Sequence, residues 1–269
     1  MSVIIIFYYT QTMASSSSST IPDFADVIIN ACFRDIAYQS IVEEKATEET
    51  ITLQAEKAVE EKLYKESTNR KRFRESINSD NMEIIEETLI SCGAGGRFSY
   101  IKAKILNKMN KKINPTYILL RGNSVAILVI ITNSDDGTQY ILVIEQLRAP
   151  TGGNCLEAVA GMMDHNGDPK FVALEEIKEE TGIVAKKEDI TFLGEYYTSP
   201  GIMDEKMQCF LMKTSMDTKK IEELTDKYKL HGDGSDFESI RLHIIPATWK
   251  DVMETKDGKL IACFAMYKN

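Results

Sequence analysis

The chain has 269 residues, 43% of them apolar, and 41 acidic against 32 basic side chains leave a formal net charge of −9. That length allows one large or two small domains with a sizeable core, and the acidic balance argues against general DNA or RNA binding. Five scattered cysteines (Cys32, Cys92, Cys155, Cys209 and Cys263) show no CxxC spacing, and three histidines lie far apart; free thiols in a reducing compartment are expected, without a disulfide framework or a zinc site.

At the N-terminus, VIIIFYY (3–9) is too short to span a bilayer and lacks the basic flank of a signal peptide. Met13, followed by Ala14 and a run of serines, reads as an alternative translation start. Residues 1–20 are expected to be disordered, because Ser15 to Ser19 offer nothing to bury. No membrane-spanning segment is read elsewhere, so a cytoplasmic protein without membrane contact is expected.

Residues 21–94 read as a largely helical segment of unassigned role. FADVIINACFRDIAY carries apolar residues at helical spacing, and TLQAEKAVEEKLYKESTNRKRFRESI is rich in helix formers, with the helical reading running to about residue 88. The basic run NRKRFR (69–74) reads as a solvated helix face. From residue 95 to 269 the texture turns to strands. VAILVIIT and YILVIEQL are β-branched runs joined by the turn-rich NSDDGTQ, a hairpin signal. MQCFLMK alternates, IRLHII is a further short strand, and TKKIEELTDKYKL (218–230) reads as helix. Strands flanked by helices predict an α/β/α sandwich around a mixed sheet.

The most informative stretch is GMMDHNGDPKFVALEEIKEETGI (161–183). It packs Glu175, Glu176, Glu179 and Glu180 into six positions. On an α-helix Glu176, Glu179 and Glu180 share a face, and carboxylates so placed repel one another unless a hard cation such as Mg²⁺ or Mn²⁺ sits among them. Gly161 opens the stretch with a turn-permissive residue, and Gly182 stands where a left-handed C-cap is wanted. A plainer reading is a solvated helix face with Leu174 and Ile177 turned to the core.

This loop–helix–loop resembles the Nudix box of nucleoside-diphosphate hydrolases. Gly161, Glu176, Ile177, Glu179, Glu180, Gly182 and Ile183 fall in place at the family's spacing. Gly167, with Asp168 beside it, stands where the family has its first Glu, and Glu175 where it has Arg. That Arg pairs with a box carboxylate in the family; Glu175 turns the attraction into a possible repulsion that raises a neighbouring carboxylate's pKa. Further segments resemble the branch acting on ADP-sugars and related sugar nucleotides. GRFSYIKAKILNK (96–108) looks like its N-terminal strand pair. LRGNSVAILVIIT (120–132) and YILVIEQLRAPTGGNCLEAVAG (140–161) lead into the box, and YYTSPGIMDEKMQCFLM (196–212) and DFESIRLHIIPATW (236–249) follow it.

The resemblance implies a Nudix α/β/α sandwich that uses Mg²⁺ or Mn²⁺ to hydrolyse the diphosphate of an ADP-sugar, UDP-glucose or ADP-ribose. The products would be a nucleoside monophosphate and a sugar phosphate, and the protein a homodimer paired through its N-terminal strands. Glu176 and Glu180 would be the principal metal ligands, Glu179 would assist, the Ala160 carbonyl would complete the set, and Gly161 would help bind the substrate. Arg148 matches a phosphate-contacting position, the other reading being a surface ion pair. Glu157, in LEAVAG, matches a carboxylate that helps bind substrate or metal, with Val159 where the family has Pro. Arg121 either reaches the nucleotide or solvates a strand edge. Asp204 and Glu205 either shape the sugar or second-phosphate side of the pocket or serve as turn residues. The general base is expected from the loop GDGSDFESIR, as Glu238 or Asp236, unless that loop is a plain polar turn. Glu175 and Gly167 leave a second reading, a Nudix-fold module that binds a nucleotide or a protein without hydrolysis.

Overall fold

The computed structural model describes residues 48–77, 80–93, 98–163, 167–225, 228–231 and 238–269. The expected disordered tail, FADVIINACFRDIAY and Cys32 lie outside them. Two compact units, residues 1–62 and 63–269, divide within the first helix of the described residues, α1 (Glu48–Glu66).

A short helix α2 (Thr68–Ile77) precedes a three-stranded antiparallel sheet in the order β1 (Met82–Cys92), β2 (Ser99–Asn107), β3 (Lys112–Leu120). The helical reading therefore ends too late: Met82–Cys92 is a strand, because MEIIEETLISC registers against β2 over its whole length. GRFSYIKAKILNK likewise supplies one strand, β2, and not a pair. Along β2 side chains alternate, with Ile101, Ala103 and Ile105 buried against Tyr64 and Phe73 and with Tyr100, Lys102 and Lys104 outside.

The larger sheet is mixed, in the order β10 (Tyr228–His231), β11 (Glu238–Pro246), β5 (Gln139–Arg148), β4 (Ser124–Asn133), β9 (Lys206–Met216), β8 (Ile190–Tyr197). Only β4 and β9 among these neighbours run parallel. Residues 218–230 do not form one helix: α4 (Thr218–Thr225) stops and β10 begins at Tyr228, where it finds β11 to pair with. The alternation read in MQCFLMK does not hold, since Cys209, Phe210, Leu211 and Met212 are all buried. β9 lies between β8 and β4 with apolar layers on both faces, so neither side needs polar residues.

β4 shows how the layers form. Val125, Ile127, Val129 and Ile131 face a core shared with α3 (Pro169–Glu176), and Ala126, Leu128 and Ile130 face one shared with α6 (Gly258–Lys268). Strand side chains alternate between faces, so an unbroken apolar run serves both helical layers. Each fully buried branched aliphatic contributes roughly 1.5–3 kcal/mol. α5 (Trp249–Glu254) joins the second layer through Val252.

β4 and β5 pair only from Val129–Thr132 to Gln139–Leu142 and then separate. Two short strands fill the widening gap, β6 (Gly153–Glu157) on β5 and β7 (Val159–Met162) on β4. The split brings residues 157–161 between the two halves of the sheet, directly before α3.

Candidate active site

Ala160 and Gly161 lie on β7, opposite Ala126 and Val125. Asp168 caps α3 by accepting the Lys170 N–H at 3.0 Å, and buried Ala173 and Ile177 fix the helix on the sheet. A Cβ at residue 161 would lie 1.7 Å from Oε1 of Glu176, so glycine alone lets that carboxylate lie against the β7 backbone. Beyond Glu176 the helix widens into a π turn, Ile177–Thr181, closed by Gly182 at φ 72°.

That turn changes which carboxylates meet. Glu180 is 4% exposed and accepts the Ala160 N–H at 3.2 Å. Burial, and then the neighbouring Glu176 carboxylate, push its pKa well above the usual carboxylate range. Glu179 is exposed, so the three glutamates do not share one ridge: a π turn closes i to i+5, and the α-helical spacing no longer applies. Glu175 is exposed as well. The repulsion expected from it falls instead between Glu176 and Glu180.

Next to this pair is a charge network. Arg148 donates to both oxygens of Glu157, Nε to Oε1 at 2.7 Å and Nη2 to Oε2 at 3.0 Å. Lys259 Nζ donates to Glu157 Oε2 at 2.7 Å and to Asp257 Oδ1 at 2.9 Å. Burial works to raise the Glu157 pKa, but the Arg148 hydrogen bonds and the Lys259 charge outweigh it and hold the carboxyl below the usual range. Asp257 caps α6 and accepts the Ala158 N–H at 2.9 Å. Arg148, Thr151, Asn154, Glu157, Lys256 and Lys259 line a cavity of about 560 Å³. Asp257 and Lys259 were not singled out in the sequence. The helix-cap pattern Asp-Gly-Lys was legible there, whereas its meeting with Glu157 depends on tertiary folding.

Arg121, Asp204 and Glu205 form a separate cluster. Glu205 is 5% exposed and accepts from Arg121 Nε (2.9 Å), Ser124 Oγ (2.9 Å) and Thr198 Oγ1 (2.8 Å). Asp204 accepts the backbone N–H groups of Arg121 (2.7 Å) and Gly122 (3.1 Å) and Arg72 Nη2 at 2.6 Å. These carboxylates tie the Ser-Pro-Gly loop to the link between β3 and β4. Asp236 lies outside the described residues. Glu238 opens β11, and because Arg241 pairs with Glu145, Glu238 and Arg148 extend from the same end of the β11–β5 ladder.

Among the described residues no three His, Cys, Asp or Glu side chains stand close enough together to hold a metal ion. The donors nonetheless suit a hard divalent cation: two adjacent carboxylates, one of them buried and held by a single backbone N–H, against a backbone kept clear by Gly161. Among the described residues, no helix is long and apolar enough to cross a membrane.

A Nudix hydrolase of Arabidopsis thaliana, "Nudix hydrolase 14, chloroplastic", is 29% identical over 78% of this chain and 71% of its own length. The "ADP-ribose pyrophosphatase" of Bacillus subtilis is 35% identical over 38% of this chain and 51% of its own length, so the chain spans about half of that relative. A crystal structure described as an "ADP compounds hydrolase" shares the fold, with a TM-score of 0.51 and 16% identity over 70% of this chain and 93% of that one. The NUDIX domain profile matches residues 122–259, just over half of the chain, which takes in both the Gly161–Glu180 loop-helix and Lys259. The chain therefore belongs to the Nudix hydrolase family.

Proposed function

We infer that this protein hydrolyses the diphosphate of a nucleoside diphosphate sugar, an ADP-sugar, UDP-glucose or ADP-ribose, to a nucleoside monophosphate and a sugar phosphate. The observation that carries the reading is the juxtaposition of Glu176 and Glu180 against the Ala160–Gly161 backbone. Glu176, Glu180 and the Ala160 carbonyl would hold Mg²⁺ or Mn²⁺, with Glu179 reaching in from solvent. A cation so bound supplies charge neutralisation and acidifies water.

The chain's own residues do the rest. Arg148 offers a planar guanidinium suited to bidentate phosphate contact, and Glu157 holds that guanidinium toward the cavity. Glu238, with Asp236 as the alternative, is the proposed base, carried at the end of the ladder from which Arg148 also emerges. By the resemblance, Arg121 would reach the nucleotide and Asp204 and Glu205 would shape the sugar or second-phosphate side, although the three form a cluster apart from the cavity beside Glu157. All these residues lie C-terminal of residue 95, in the stretch expected to form the hydrolase domain. A cytoplasmic homodimer paired through β1–β3 completes the reading, in keeping with exposed Ile85, Ile90 and Tyr117 on those strands. The non-hydrolysing alternative rested on Glu175 and Gly167, both of which are exposed.

The test is phosphate release from a panel of sugar nucleotides, with a coupled phosphatase and Mg²⁺ or Mn²⁺, for wild type beside Glu180→Gln. Turnover in wild type that disappears in the variant is expected. Absence of turnover across the panel, with the nucleotides still bound, would establish the binding module instead.

A further inference from the structure

Glu157 is a buried carboxylate with two cations on it, and the two are not equivalent. The Arg148 side chain is 40% exposed, whereas that of Lys259 is 21% exposed and that of Glu157 only 7%. Lys259 is also fixed from behind. Its ammonium is held by Asp257, which in turn accepts the N–H groups of Ala158, Lys259 and Leu260. The ammonium thus belongs to the rigid start of α6, and the guanidinium belongs to the solvent-facing end of β5.

We propose that Lys259 is a positioning residue that keeps Glu157 neutralised while Arg148 turns its guanidinium to the substrate's diphosphate, so that the C-terminal helix sets the affinity of the site. The proposal rests on the hydrolase reading above for the identity of the anion. Its logic is electrostatic. A buried carboxylate left without a counter-charge is strongly unfavourable, so without Lys259 the cation left on Glu157 among the described residues would be Arg148, which would then be retained there. With Lys259 in place, Glu157 Oε2 keeps a charged donor at 2.7 Å when Arg148 leaves.

The test is a double-mutant cycle with two readouts. ADP, which carries the diphosphate but no sugar on its terminal phosphate, is titrated calorimetrically into wild type, Lys259→Met, Lys259→Arg, Glu157→Gln and the Met/Gln double variant. Separately and without ligand, phenylglyoxal modification of Arg148 is followed by peptide mass spectrometry. Lys259→Met is expected to weaken ADP binding about tenfold, with the double variant and Lys259→Arg returning to within about threefold of wild type. Arg148 labelling should slow in Lys259→Met, recover in the double variant, and exceed wild type in Glu157→Gln alone, the variant that keeps the test alive if Lys259→Met misfolds. A double variant as weak as Lys259→Met, or a Lys259→Met protein that binds and labels like wild type, would overturn the proposal and leave Lys259 a simple tie. Labelling that follows the expected order in a protein that does not bind ADP would uphold the role of Lys259 and sink the hydrolase reading.

Discussion

Glu180 and Glu205 are buried to nearly the same degree, 4% and 5% exposed, and they do opposite things. Glu205 sits among three donors, a guanidinium and two hydroxyls, and closes the joint between two loops. Glu180 has one backbone N–H and faces another carboxylate, so its charged form is penalised from two sides. Burial of a carboxylate therefore says little by itself. What its neighbours offer decides whether the group fastens the fold or is held ready for a cation.

Breaking the pair at Glu180 should have the largest effect. Glu180→Gln is expected to lower kcat/KM roughly a thousandfold, since several kcal/mol of charge stabilisation go with the cation. The same variant should unfold at a higher temperature than wild type in EDTA. Its pH dependence follows from the raised pKa. Between the ordinary carboxylate range and that raised value the folded state keeps a proton that the unfolded state has released. Metal-free wild type should accordingly lose stability as pH rises through this window, and Glu180→Gln should not. A wild type that gains stability over that range would break the comparison.

Gly161→Ala comes next. The added methyl displaces the Glu176 carboxylate, and misplacement of that order costs roughly a hundredfold in rate; an unchanged circular dichroism spectrum would assign the loss to the site. Glu205→Ala should do the reverse and lower unfolding free energy in urea by about 2–3 kcal/mol, because Ser124 and Thr198 lose their shared acceptor. Its rate loss should be far smaller than that of Glu180→Gln. Smallest of all, Glu175→Arg should alter stability by no more than about 0.5 kcal/mol and turnover by no more than about twofold, since the side chain faces solvent. A large gain in turnover would mean that Glu175 does repel the metal site.

The strands β4 and β5, the glycines at 161 and 182 and the loop-helix between them were legible because each is set by local periodicity or backbone need. The π turn was not. Nothing in IKEET distinguishes i to i+5 closure from an α-helix, and that single difference moves Glu179 off the ridge. Met82–Cys92 misled for a related reason: Glu-rich composition favours helix, and pairing with β2 overrides it. Arg148 and Glu157 were readable one by one. Their bond to each other was not, because the register of β5 on β6 sets Arg148 opposite Gly153 and Glu157 opposite Ile144 and only the long Arg148 side chain spans the distance, while the bond to Lys259 follows from α6 packing behind the sheet.

That last contact has a consequence for the timing of synthesis. Lys259 and Glu157 are 102 residues apart in sequence, and N-terminal parts of a chain emerge from the ribosome first. A nascent chain exposes the glutamate-rich helix and Arg148 long before the residues that order Glu157 have been made. If Lys259 positions Glu157 as proposed, the site reaches its full affinity for a diphosphate only once α6 has been made and has packed.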